Sequence, residues 1–240
     1  MIKKAIEYVI GLAEPHFKDV DGYLYSDKPL ERINYNPKAA KIEMNTLSSL
    51  IDYIKANVDE MSGKMIIHVQ SPTKVQMYSA LDSERKREYM VEVNASVPDF
   101  RFNQFIDHEA FCINLQSKFI DAPGTDRALL LKFAGTVEAG TVAEYGDDGC
   151  TQKATVKTGI ASKGEAIVPN PVILLPYRTF VEVEQPFSQF IFRMKQDKYD
   201  GITCGLFEAD GGAWKNEAMR NIKEYLETQL KGIEGFIIIS

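Results

Sequence analysis

The chain has 240 residues, of which 45% are hydrophobic and 26% are charged, and this composition excludes an intrinsically disordered protein. Its formal net charge of −6 argues against nucleic-acid binding over the whole surface, while a local basic patch stays compatible with it. Its apolar runs are much shorter than the roughly 20 residues that a membrane span needs, and no signal peptide is indicated, so we expect a soluble cytoplasmic protein.

The first 44 residues are predicted to form a helix followed by an arm. Apolar residues recur at helical spacing from Ile2 to Ile10, and Gly11 and Pro15 end the pattern. Residues 15–44 have no sustained period, which is unusual inside a compact domain, so an arm or a functional loop has to be considered. A strand-containing meander around Tyr23–Tyr25 is the structural interpretation of the same segment, and the sequence favours it slightly.

Residues 45–240 are predicted to form one α+β domain, which can divide near residue 100 into subdomains of about 45–100 and 101–240. Asn45 can cap a helix whose apolar face includes Leu47, Leu50 and Ile54. Short alternating segments then predict three strands, Met65–Val69, Val75–Leu81 and Tyr89–Ala95.

The second part of this domain repeats the order of a helix followed by strands. A helix is predicted from Asn103 to Ile120, and the best-marked helix begins after Asp210–Gly212 and ends at Gly232. The predicted fold class is therefore α+β, with mainly antiparallel sheets, about four helices and two units of a helix followed by strands, at 45–95 and 103–133. The further predicted strands are Leu129–Phe133, Val172–Leu175, Thr179–Val183, Phe190–Met194, Thr203–Phe207 and Phe236–Ile239.

No sequence pattern identifies a catalytic, cofactor-binding or metal-binding site, and we expect a protein that is not an enzyme. Asp147–Asp148 fits an ordinary hairpin turn better than a two-metal phosphoryl-transfer site. Asp107–Glu109 places three polar residues around a helix instead of on one face, so His108 is expected to be structural. The cysteines Cys112, Cys150 and Cys204 are odd in number and widely spaced, which fits reduced thiols, and Cys150 is the one to test for reactivity.

One short segment has the composition of a nucleic-acid site. The rings of Phe100 and Phe102 can stack on bases while Arg101 and Arg127 bind phosphates. The competing interpretation makes Phe102 and Phe105 the hydrophobic staple and the first core contact at the start of a helix, and the sequence favours that interpretation.

The last predicted strand indicates self-association. Its residues are Phe236, Ile237, Ile238 and Ile239, which are apolar on both faces, so we expect the strand to lie in a sheet that is covered on each side. That sheet can belong to the same subunit or to a neighbour by strand addition. With the N-terminal arm, this strand favours a homo-oligomer.

Several short blocks in the second half of the chain occur in a recognisable order. They are Gln116–Phe119, Arg127–Leu130, Asp147–Gly149, Lys157–Gly159, Pro169–Pro171, Pro176–Phe180, Glu182–Pro186, Phe192–Arg193 and Phe207–Gly211. In this order they resemble the YfdQ-like family of uncharacterised proteins from tailed phages and prophages. The resemblance covers roughly residues 40–230 and implies a phage-encoded protein in the cytoplasm of a bacterial host, with no catalytic residues to transfer.

Three functional hypotheses follow from the sequence. The first is a non-enzymatic phage protein that self-assembles into a ring or a capsid-like shell. The second is a protein that binds single-stranded nucleic acid during phage replication or recombination. The third is an inhibitor that sequesters a host defence or signalling component.

Overall fold

The computed structural model describes residues 2–11, 14–29, 38–143, 153–157, 163–167, 169–197 and 201–240. Within these residues it has five helices and fourteen strands, and most strand pairs are antiparallel, which confirms the predicted α+β class. The elements in chain order are α1 (Ile2–Gly11), β1 (Phe17–Val20), β2 (Tyr23–Ser26), β3 (Ile42–Met44), α2 (Leu47–Ala56), β4 (Met65–Ser71), β5 (Lys74–Ser79), β6 (Tyr89–Asn94), β7 (Phe105–Asp107), α3 (His108–Ser117), α4 (Arg127–Thr136), β8 (Val137–Ala143), β9 (Lys153–Lys157), β10 (Lys163–Ile167), β11 (Val172–Leu174), β12 (Ser188–Asp197), β13 (Gly201–Glu208), α5 (Ala213–Gln229) and β14 (Phe236–Ile239).

The chain forms two compact units, Met1–Ala39 and Ala40–Ser240, which we call the N-terminal unit and the body. The N-terminal unit contains α1 and the antiparallel hairpin β1–β2. Asp21 and Gly22 form the two-residue hairpin loop with φ of 55° and 82°, as a twisted two-residue turn requires. The carboxylate of Asp27 closes the open end of the hairpin, because it accepts a hydrogen bond from the backbone N–H of His16 at 2.7 Å.

A five-stranded sheet in the body has the strand order β14-β4-β5-β6-β3. Its three central strands are antiparallel, whereas β14 and β3 run parallel to their neighbours β4 and β6. Helices α2 and α5 cover one face, which we call the inner face, and form the first hydrophobic core with it. This core is not confined to residues 45–100, because it includes Phe180, Val183 and Ile222.

Helix α2 begins one residue later than the sequence predicted. Thr46, not Asn45, is the N-cap, and its hydroxyl oxygen accepts a hydrogen bond from the backbone N–H of Ser49 at 3.1 Å. A carboxylate oxygen of Glu182 accepts a second hydrogen bond from the backbone N–H of Leu47 at 2.8 Å. A loop far along the chain thus completes the start of this helix.

A second sheet, of order β11-β12-β13-β7, packs on α3 and α4. Here the sequence prediction was wrong at two segments. Leu129–Phe133 lies in helix α4 and not in a strand, so the second predicted unit of a helix followed by strands is two successive helices. Thr179–Val183 is a turn and not a strand, because the side-chain oxygen of Gln185 accepts backbone N–H bonds from Arg178 and Thr179 at 2.9 and 3.2 Å.

The remaining sheet has the order β10-β9-β8.

Two element boundaries differ from those that the sequence predicted. The predicted third helix begins at His108 because Phe105–Asp107 pair with β13, and β3, which the sequence placed in the arm, is part of the body sheet. In the described part of the chain, no helix combines the length and the apolar character needed to cross a membrane.

Candidate assembly interface

The predicted assembly residues form β14, which is an edge strand of the five-stranded sheet. Among the described strands β14 pairs with β4 alone, in a parallel register that sets Phe236 beside Met65 and Ile239 beside His68. The backbone N–H of Met65 donates to the carbonyl of Gly235 at 2.7 Å. Because backbone groups alternate along a strand, the N–H and C=O groups of Phe236 and Ile238 point away from β4. These groups form the free edge of the sheet.

The two faces of β14 lie in different environments. On the inner face, Phe236 and Ile238 are half-buried and pack against the first core. On the outer face, Ile237 and Ile239 are 46% and 42% exposed. The strand itself is confirmed, but within the described chain only one of its faces is covered, whereas the sequence predicted cover on both.

The outer face of this sheet changes from apolar to charged across its strands. One row of side chains runs from Ile237 through Ile66 to Tyr78. The next row begins with Ile239 and reaches Glu92 and Glu43 at the far side. We call the apolar half, Ile66, Tyr78, Ile237 and Ile239, the outer apolar strip.

A groove lies beside the free edge of β14 on the inner face. Its volume is about 200 Å³, and Leu230, Ile233, Phe236 and Ile238 line it together with Glu227. The lining residues come from α5, from the segment that follows it and from β14 itself.

The opposite edge, at β3, has a cluster of charges. The ammonium group of Lys41 lies 2.8 Å from a carboxylate oxygen of Glu92 and 3.3 Å from one of Glu43, and Lys74 lies 3.2 Å from Glu92. Hydrogen bonds from Lys41, and then from Asn94 and Lys74, lower the pKa of Glu92 to about 2. Charged side chains on an edge strand oppose the addition of an apolar strand.

The β11 edge of the second sheet is blocked by Asp126. The backbone N–H of Ile173 donates to the Asp126 carboxylate at 2.8 Å, and the backbone N–H of Asp126 donates to the Ile173 carbonyl at 2.8 Å. The outward-pointing groups at the middle of this short strand therefore already have partners. Compared with these two edges, the edge at β14 is bare.

None of the described residues of the N-terminal unit is buried. The apolar stripe of α1 is open, with Ile6 53% and Val9 63% exposed. The hairpin also exposes aromatic side chains, among them Phe17 and Tyr23. A unit of 39 residues without disulfides or a core is not expected to be stable by itself.

The structure brings two of the predicted nucleic-acid residues into the second core. The rings of Phe100 and Phe102 lie 4.6 Å apart, and both contact Phe119. Phe102 also stacks on Phe190, at 5.4 Å between centroids. Phe102 therefore packs on the second core, as the structural interpretation predicted, whereas Phe105, the second ring of that interpretation, is 42% exposed in β7.

The two arginines that were predicted to bind phosphates lie in different environments. Arg127 donates hydrogen bonds to the carbonyls of Leu115 and Gln116 at 2.9 and 2.8 Å, at the end of α3, and pairs with Asp121. Arg101 is exposed beside a cleft of about 370 Å³ whose lining also includes Asp99, Asp107 and Lys118. The charges around this cleft balance, so it does not form a basic channel.

A buried arginine, which sequence reasoning missed, lies near these rings. Arg178 is only 7% exposed, and its guanidinium lies 4.3 Å from the ring centre of Trp214 and 4.7 Å from that of Phe102. Glu208 pairs with it at 2.5 Å. Burial lowers the pKa of Arg178, and the charge of Glu208 opposes this effect. The Pro176–Phe180 block gave no signal of this role, because Phe102, Glu208 and Trp214 come from three other segments of the chain.

The cysteines and histidines have structural environments where they are described. The His108 ring nitrogen Nε2 is 2.9 Å from the carbonyl of Ala134, and Cys112 is 3.9 Å from the same nitrogen. Burial raises the pKa of the Cys112 thiol and of the Cys204 thiol. Cys150 and the Asp147–Asp148 turn lie outside the described residues. Among the residues that are described, no group of three or more His, Cys, Asp or Glu side chains is placed to hold a metal ion.

Comparisons with protein-family models, with curated proteins and with solved structures found no match to this chain. The resemblance to the YfdQ-like family therefore remains a prediction from the sequence blocks.

Proposed function

We propose that this chain is a non-catalytic assembly protein that forms a homo-oligomer by packing its N-terminal unit on the body of a neighbouring copy. The two observations that support this proposal most strongly are the open apolar stripe of α1 and the exposed aromatic side chains of the hairpin. A ten-residue helix and a two-stranded hairpin need packing partners to stay folded in water.

The body offers a surface of matching character. The outer apolar strip is partly exposed, with Ile237 46% and Ile239 42% exposed. Apolar patches of this kind on a protein surface mark interaction sites. An arm of one copy on the sheet of the next satisfies both surfaces with a single type of contact.

The form of the assembly and its biological setting are further parts of the proposal. A contact from the arm of one copy to the body of the next is heterologous, and such contacts close into rings or shells when the rotation between copies allows it. The resemblance to phage proteins favours a phage-encoded particle or ring in a bacterial host cytoplasm. Binding of single-stranded nucleic acid is a weaker candidate, because Phe100, Phe102 and Arg127 have other partners within the chain.

The test is the size of the full-length protein, measured by light scattering at micromolar concentration. We expect an oligomer, and we expect Ile6→Glu combined with Val9→Glu to reduce its size, because the two charges lie on the open stripe. The control is Lys3→Glu combined with Lys4→Glu. This variant also introduces two glutamates, but outside the Ile6–Val9 stripe, and it should leave the size of the oligomer unchanged. A wild-type monomer would contradict the proposal, and so would equal effects of the two double variants.

A further inference from the structure

A second contact between copies follows from the bare edge of β14, and it rests on the proposed function because both require the chain to associate with itself. We propose that two copies pair β14 with β14 in antiparallel orientation across a two-fold axis. The two five-stranded sheets then form one continuous sheet. Phe236 lies opposite Ile238 of the other copy, and the two Ile237 residues meet at the axis.

The backbone supports this register. Phe236 and Ile238 have the outward-pointing N–H and C=O groups of β14, as the hydrogen bond from Met65 to Gly235 fixes. In an antiparallel pair, residues that are opposite each other exchange two hydrogen bonds when their groups face the partner strand. When Phe236 lies opposite Ile238 of the other copy, the two N–H and two C=O groups that point outward in each copy all form hydrogen bonds. The pairing needs only the four residues of β14.

The side chains agree with a two-fold axis perpendicular to the sheet. Such an axis keeps inner faces together and outer faces together. Ile237 and Ile239 of both copies then extend the outer apolar strip without interruption. On the inner face, Phe236 and Ile238 of the second copy lie beside the groove at Leu230 and Ile233.

The charge pattern selects a second copy of β14 as the occupant. β14 has no charged residue, so no like charges meet when it pairs with itself. Addition to the β3 edge of another copy would instead place isoleucines against Lys41, Glu43 and Glu92. The Asp126 carboxylate occupies the β11 edge. The apolar edge is thus its own best complement.

Disulfide trapping of the full-length chain tests this pairing. In the proposed register the two copies of residue 237 form a non-hydrogen-bonded pair with Cα atoms about 4.5 Å apart, which suits a disulfide. Residue 239 is displaced by four positions from its own copy, about 13 Å along the strands. We expect Ile237→Cys to give a disulfide-linked dimer under mild oxidation, and Ile239→Cys and the wild type to give none.

The second measurement is the size of the oligomer by light scattering after opposite charges are introduced at residue 237. Ile237→Asp alone should lose the β14 contact because two carboxylates meet at the axis, and mixing it with Ile237→Lys should restore a mixed pair. Ile191→Asp, at an isoleucine of β12 that is 38% exposed, is the matched control and should have no effect.

The outcomes separate this inference from the proposed function. If the wild type is oligomeric by light scattering but neither cysteine variant cross-links and mixing restores nothing, the β14 pairing is wrong and the proposed function stands. If Ile239→Cys cross-links and Ile237→Cys does not, the proposed register is wrong. A monomeric wild type overturns both proposals.

Discussion

The two edge strands of the five-stranded sheet, β3 and β14, differ in charge and in exposure. At β3 the edge is surrounded by Lys41, Glu43 and Glu92, which interact with one another and discourage a further strand. At β14 the edge has no charge, its outward backbone groups have no strand partner among the described residues, and its outer isoleucines are half-exposed. Since isolated edge strands attract other chains, this contrast is the ground for the β14 pairing proposed above. The predictions below test this contrast.

The largest effect on stability is expected on the inner face of the sheet, at the strand beside β14. Ile67 is fully buried and lies beside Ile238 in the register. Ile67→Ala should lower the free energy of unfolding by about 2–5 kcal/mol, because it leaves a cavity in the first core. Ile237→Ala, on the outer face of the same strand pair, should lower the free energy of unfolding much less when the protein is dilute. Urea denaturation measures both, and a cost below about 1 kcal/mol for Ile67→Ala would contradict the assignment of faces.

A smaller effect is expected at the blocked edge of the second sheet. Asp126→Ala removes the acceptor for the Ile173 N–H and should lower the free energy of unfolding by about 1–2 kcal/mol. Asp126→Asn keeps an acceptor oxygen and should recover most of this loss. Thermal denaturation of the three proteins checks the order. Equal losses for the two variants would show that the hydrogen bond is not the cause.

The smallest effect is expected at the β3 edge, and it depends on pH. The pKa of Glu92 is lowered from 4.5 to about 2 in the folded chain, so its ion pairs stabilise the fold fully above pH 4.5. This contribution is lost as the pH falls through 2. At neutral pH, Glu92→Gln should lower the free energy of unfolding by up to about 1 kcal/mol, as surface ion pairs do, and most of the difference from the wild type should be lost near pH 2.

Denaturation at several pH values measures this difference. Glu43→Gln is the control, since Glu43 is mostly exposed and contacts only Lys41 among the described charges. A wild-type advantage that persists at pH 2 would mean that Glu92 does not stabilise the edge through its charge.

The elements with clear periodicity were predictable from sequence. Helix α5 has its apolar residues at helical spacing over 17 residues, and β4, β5 and β6 alternate as half-covered strands do. The apolar run at Leu129–Phe133 was predicted incorrectly, because a short continuous run fits a buried strand and a helix equally well. Its helical state depends on packing with α3, which the local sequence does not record.

The features of the interface were less predictable, because they depend on which strands become neighbours. That Phe236–Ile239 forms a strand follows from its composition. That this strand lies at an edge follows only from its pairing with β4, more than 160 residues earlier in the chain. The same holds for Asp126 at the β11 edge and for Glu182 at the start of α2. The Asp126 and Glu182 contacts each join distant segments through one polar side chain.

The position of Trp214 gives the molecule a built-in optical reporter. It is the only tryptophan of the chain, and its indole N–H donates to Glu208 at 3.1 Å while Arg178 lies over its ring. Helix α5 begins at this cluster, beside the second core, and its later residues Ile222 and Leu226 belong to the first core. The emission of one indole therefore follows the second sheet, while circular dichroism follows both. Coincidence of the two signals during unfolding would show that α5 couples the two sheets into one cooperative transition.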